Sequence, residues 1–180
     1  MFRKTFVFLR VLTIFLVCVL HVFSKELPTE LLGFQINTEL KSVKKSVQLK
    51  KIKNSFEKVY KVLYIEQSIE TYLYFFNKKI YKIIICFSEK VFDQEDWENI
   101  VSQAISLYDR PKKVFVTHKN GLSQEVYLWE DEKVKYMYKK FSKENKIQNF
   151  SIELVDKHTE QKITQLSFIK KLYLRLINLF

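Results

Sequence analysis

Twice along this chain a helical pattern leads into strand-like segments joined by very short turns, and that order fixes the fold class. Connections of two or three residues can only join antiparallel neighbours, because a parallel pair needs a crossover of a dozen or more residues. Gly33–Asn37 reads as a brief strand, and Thr38 is placed to cap a helix over 39–52 with Leu40, Val43 and Val47 on one stripe. Phe56–Ile65, Thr71–Phe76 and Ile80–Phe87 are rich in Val, Ile, Tyr and Phe, as half-buried strands require, with Asn77-Lys78-Lys79 as a hairpin turn. In the last of them the alternation predicts Tyr81, Ile83, Ile85 and Phe87 on one face. Ile80, Lys82, Ile84 and Cys86 fall on the other.

The second round opens with the strongest helix signal in the chain, over 93–108. Asp93 caps it, Glu95 and Asp96 suit the positive end of the helix dipole, and Phe92 is placed to staple onto Trp97. Trp97, Ile100, Val101, Ala104, Ile105 and Tyr108 recur at helical spacing on one face, and Pro111 closes the region. Strands follow at Val114–His118, Gln124–Trp129, Val134–Lys140 and Ile147–Val155. They are separated by Lys119-Asn120-Gly121, Glu130-Asp131-Glu132 and the polar run Ser142–Lys146. Phe150, Ile152 and Leu154 form the apolar face of the final strand, opposite Asn149, Ser151 and Glu153. The pattern predicts an α+β fold, an antiparallel meander sheet with helices packed on one face. A C-terminal amphipathic helix over 161–180 completes it.

Residues 1–24 read as an address. Arg3, Lys4 and Arg10 lead into the uncharged run Val11–Leu20, and Val22 and Ser24 stand where a signal peptidase takes small side chains. Ten apolar residues are too few for a membrane span, which needs about 20. The expectation is therefore a signal peptide over 1–24, a linker over 25–32, one α+β domain over 33–160 and the terminal helix, in an exported protein. A retained anchor and a lipoprotein signal at Cys18 are weaker readings, since Val17 is a poor residue before an acylated cysteine.

Export changes how the charge is read. The net charge is +11, and three of those positives lie in the leader. The cations are 27 Lys against four Arg, whereas nucleic-acid readers rely on Arg for bidentate and stacked contacts. Nucleic acid is not the expected partner. After the leader Cys86 is the only cysteine, so no internal disulfide can form.

Residues with chemical potential have simpler uses. His118 and His158 lie in polar segments, and no pair of His or Cys residues has zinc-ligand spacing. Cys86 in Ile-Ile-Ile-Cys-Phe reads as a small hydrophobe. Glu130-Asp131-Glu132 lacks the spaced oxygens of a calcium loop and reads as a turn. Two glycines cannot build a phosphate-cradling or dinucleotide loop. The sequence offers no catalytic residues, cofactor or metal site. A secreted hydrolase with an unannounced site is the least favoured reading.

The terminal helix carries the sharper expectation. Thr164, Ser167, Lys171, Arg175 and Asn178 form a polar wedge, and after Glu160 the chain holds four cations and no acid. Phe168, Leu172, Leu176 and Phe180 could enter a membrane interface with Lys170, Lys171 and Arg175 at the headgroups. The same apolar arc could instead pack on the domain's own sheet or against a partner.

The stretch Leu32-Gly-Phe-Gln-Ile-Asn-Thr-Glu-Leu-Lys-Ser-Val43 runs strand, polar residue and Thr, then helix, and Tyr74–Ile83 runs aromatic strand, polar turn, strand. Both segments resemble small exported bacterial domains, namely the small lipoproteins of β-barrel assembly and β-lactamase-inhibitor-like proteins. The resemblance implies a non-catalytic binding or scaffold module. The acylated cysteine of the lipoproteins has no counterpart. On this reading the protein is an exported binding domain for a protein or envelope component, with anchoring to anionic membrane by the terminal helix as the alternative.

Overall fold

The computed structural model describes residues 26–53, 57–63, 69–88, 93–117, 121–144 and 146–177, with side chains up to 168. The expected leader, His118, the Asn120 turn residue and the Phe92 staple lie outside the described residues.

The main sheet has eight strands in two four-strand meanders, each following a helix. The first round is α1 (Leu40–Ser46), then β3 (Leu49–Lys51), β4 (Lys58–Val62), β5 (Ile69–Phe76) and β6 (Lys79–Ser88). The second is α2 (Gln94–Tyr108), then β7 (Lys112–Thr117), β8 (Leu122–Glu130), β9 (Val134–Lys143) and β10 (Lys146–Asp156). The sheet order is β3-β4-β5-β6-β10-β9-β8-β7, so the last strands of the two rounds meet at its centre. A hairpin of β1 (Glu30–Leu31) and β2 (Phe34–Gln35) precedes them, and α3 (Lys157–Ile177) closes the chain. The architecture is α+β, as the alternation of helix and meander predicts.

Both helices of the repeating rounds pack on one face. There Leu73, Ile83, Leu154, Tyr136 and Trp129 stand in register across five strands. Val43 of α1 and Trp97, Val101 and Ala104 of α2 close over that face. α2 begins as its sequence predicts. The Asp93 carboxylate accepts from the Asp96 N–H and the Asp96 carboxylate accepts from the Asp93 N–H, each at 3.0 Å. This reciprocal pairing satisfies two donors that a helix start otherwise leaves open.

Three expectations need correction. The first helix ends at Ser46 instead of 52, and Leu49–Lys51 is a strand paired with Tyr60–Val62. Only Val43 of that helix is fully buried, so its stripe is too thin to hold a longer helix against the demand of β4 for a partner. Its N-cap is Glu39, without a side-chain cap, while the Thr38 carbonyl accepts from the Ile80 N–H and the Thr38 N–H donates to the Gln35 carbonyl.

The faces of β6 also differ. A register shift pairs Tyr74 with Lys82 but Phe75 with Ile80, leaving Tyr81 as an extra residue. A bulge of this kind inverts the alternation on one side of it. Ile80 therefore joins Ile83 in the core, while Tyr81 turns to the other face and meets the Tyr74 ring edge-on at 6.3 Å. Third, the terminal helix starts at Lys157, four residues before 161, with the Thr159 hydroxyl donating to the Asp156 carboxylate.

The β5–β6 turn is tight for a visible reason. Asn77 and Lys78 both have positive φ, 47° and 67°, the geometry that matches a two-residue turn to strand twist.

Candidate interaction surfaces

The face of the sheet opposite α1 and α2 is laced with ion pairs. Lys61 and the Tyr72 hydroxyl both donate to the Glu70 carboxylate, and the bond from Lys61 is the main reason that carboxyl sits below its usual range. Lys139 lies 2.8 Å and Lys82 3.5 Å from opposite oxygens of Glu153, which is buried together with Ser151. Lys82 also stands 5.2 Å from the centre of the Tyr74 ring. Lys135 closes on Glu160 at the start of α3, and Lys157 lies 3.4 Å from Glu130.

Cys86 belongs to this face, opposite Glu70 on one side and Ser151 on the other. Burial pushes its thiol up to about 11, which opposes the thiolate a nucleophile needs. His158 is exposed at the start of α3, beyond the end of β10, where it rims a shallow groove of about 530 Å³ with Asn37, Lys133 and Asp156. In the sheet register Cys86 faces Ser151, whereas His158 lies past the end of β10. The acidic turn is structural. Asp131 accepts from the backbone N–H groups of Lys133 and Val134, both at 2.7 Å.

A second charged cluster lies on the helix-bearing face beside the start of α2. Glu125 accepts from Lys113 at 2.6 Å, Lys140 at 2.7 Å and the Tyr127 hydroxyl at 2.9 Å. Burial alone would raise its carboxyl, but the three donors outweigh it and bring it down to about 2. A group depressed on folding contributes stability above its unfolded value, and that contribution fades as pH falls through the folded value. Glu125→Gln should therefore destabilise the protein by roughly 2 kcal/mol at neutral pH, the scale of hydrogen bonds to a charged group. The gap between the two proteins should narrow below about pH 4.5 and close near 2. Urea melts at pH 7, 4 and 2.5 measure it, and a gap independent of pH would contradict the assignment.

α3 carries exposed apolar side chains. Its first turns are tied to the body by Lys135–Glu160 and Asp156–Thr159, and Ile163 is half-buried. From Thr164 to Phe168 the side chains are exposed, Leu166 and Phe168 at 54% and 65%. Of the residues expected to contact membrane or partner, Phe168 is thus accessible. Lys170, Lys171, Leu172, Arg175 and Leu176 continue the same helix, with side chains outside the described residues, as is Phe180 altogether. Among the described residues no helix is long and apolar enough to cross a membrane.

The chain matches no family model, no curated protein and no solved structure. The resemblance of residues 32–43 and 74–83 to small exported bacterial domains rests on those residues alone.

Proposed function

We propose that the protein is an exported, non-catalytic binding domain whose sheet is a scaffold and whose helix α3 is a contact element for an anionic membrane surface. The observation that carries this reading is the exposure of Leu166 and Phe168 on a helix tied to the body through its first turns. A helix completing the domain's own core would bury those side chains, since large exposed apolar patches are uncommon on a monomer. The sequence beyond Glu160 supplies the electrostatic half, with Lys162, Lys170, Lys171 and Arg175 and no acid. A basic amphipathic helix of this kind lies in the interface, drawn by buried apolar area and by anionic headgroups together. The signal-like leader supports export.

The test separates anchoring from folding. Leu166→Asp together with Phe168→Asp should change stability by less than about 0.5 kcal/mol, because both side chains are already exposed. The same double variant should lower cosedimentation with phosphatidylglycerol vesicles by at least about tenfold. Wild-type protein should pass over phosphatidylcholine vesicles. Unchanged vesicle binding, or cooperative unfolding of the variant, would make α3 part of the body instead.

A further inference from the structure

The two edges of the main sheet are unequal. On one side the sheet ends at β3, three residues long, and short edge strands are a common defence against unwanted pairing. On the other side it ends at β7, six residues whose register with β8 runs from Lys112–Leu128 to Thr117–Ser123 without a shift. β7 has no proline and no bulge, two further devices that spoil an edge. In an antiparallel ladder, about half of its N–H and C=O groups point away from β8. Its side chains are open as well, with Phe115 and Val116 at 69% and 38% exposure.

The chemistry of this edge is basic at one end and apolar at the other. From Arg110 to Thr117 the sequence holds three cations, Arg110, Lys112 and Lys113, and no acid. Arg110 and Lys112 are exposed. Lys113 is turned onto Glu125 at 2.6 Å and stands 4.9 Å from the centre of the Phe115 ring, so it steadies that ring without standing guard over the edge. Two copies of the chain joined edge to edge would bring two basic molecules together, each with a net charge of +11. Like net charges repel. A segment carrying the opposite charge is not so penalised.

We infer that β7 is a docking edge for an extended acidic segment of a partner protein, which adds to the sheet as a ninth strand. Main-chain hydrogen bonds to β7 hold the segment, as in strand addition generally. Its carboxylates lie beside Arg110 and Lys112, and its apolar side chains lie beside Phe115 and Val116. This surface is separate from α3, so the two contacts are independent.

Selection of random twelve-residue peptides displayed on phage against the full chain tests the proposal. Enriched peptides should be acidic with alternating apolar residues. Their affinity, read by fluorescence anisotropy, should fall roughly tenfold with Lys112→Glu and at least that much with Phe115→Glu. Circular dichroism checks that each variant is folded, and the exposed Lys112 serves if Phe115→Glu is not. Hydrogen exchange should show β7 amides slowed by the peptide, a signature that side-chain capture alone would not give. The Leu166→Asp, Phe168→Asp protein should bind the same peptides unchanged, which keeps this outcome distinct from that of the membrane test. No enrichment, enrichment without acidic bias, or protection elsewhere than β7 overturns the inference. So does slowing of β7 exchange with the protein's own concentration, which would assign the edge to a second copy.

Discussion

Trp97→Ala should cost about 4 kcal/mol, the scale measured for large-to-small aromatic replacements in cores, and so a large part of the 5–15 kcal/mol that holds a typical domain. Trp97 is 2% exposed and stacks on Phe150 at 5.1 Å, with the Tyr127 and Tyr138 rings at 6.0 and 6.2 Å. These rings come from β10, β8 and β9, so one side chain couples α2 to three strands of the second meander. The surroundings have little freedom to collapse into the gap. α2 is pinned at its start by the Asp93–Asp96 capping pair, and near its end Tyr108 packs edge-on against Tyr136 at 5.5 Å. The cavity term should therefore persist and add to the lost transfer energy. The chain has two tryptophans, so Trp129 remains as the fluorescent reporter in the variant. Trp129 sits 4% exposed in the same core, with its indole N–H donating to the Asp109 carbonyl at 2.8 Å. Urea denaturation followed at Trp129 gives the difference directly. A loss below about 1.5 kcal/mol would mean that the α2 face repacks, contrary to this reading.

What the sequence discloses about this molecule follows the range of the interactions involved. α2 was legible because its cap, its first-turn acids and its apolar stripe are all written within sixteen residues, from Asp93 to Tyr108. The apolar face of β10 was legible from period-two alternation, and Phe150 and Leu154 are fully buried. The pairing of β6 with β10 was not, since it joins residues some seventy positions apart and has no local mark. Nor was the bulge at Tyr81, where one inserted residue inverts an otherwise regular pattern. α1 was overextended because Leu40, Val43 and Val47 fit a helix, while the need of β4 for an edge partner is invisible locally. On the functional side, the amphipathic pattern of α3 could be read, but whether its apolar side is covered depends on where the helix leaves the sheet. The edge position of β7 is likewise a property of the strand order alone.

The same limit applies to Glu153, where alternation predicts a solvent-facing side chain on β10 and the structure buries it to 5% exposure. Glu153→Gln should cost about 3 kcal/mol, the lower end for removing one partner of a buried ion pair. The carboxylate is what allows Lys139 at 2.8 Å and Lys82 at 3.5 Å to converge from the strands on either side of β10. With a neutral amide in its place, two cations, each mostly buried, face one another without a counter-charge. Their aliphatic stems give some relief by swinging the ammonium groups toward water, which is why the lower end is expected. If the loss arises from uncompensated charge, removing the charges together should recover it. Lys82→Met, Lys139→Met and Glu153→Leu combined should then return stability to within about 1 kcal/mol of the parent, since apolar replacements of buried pairs are often neutral. Guanidinium melts of the single and triple variants decide the matter. A triple variant as unstable as Glu153→Gln would show that shape at β10, and not charge balance, is what Glu153 maintains.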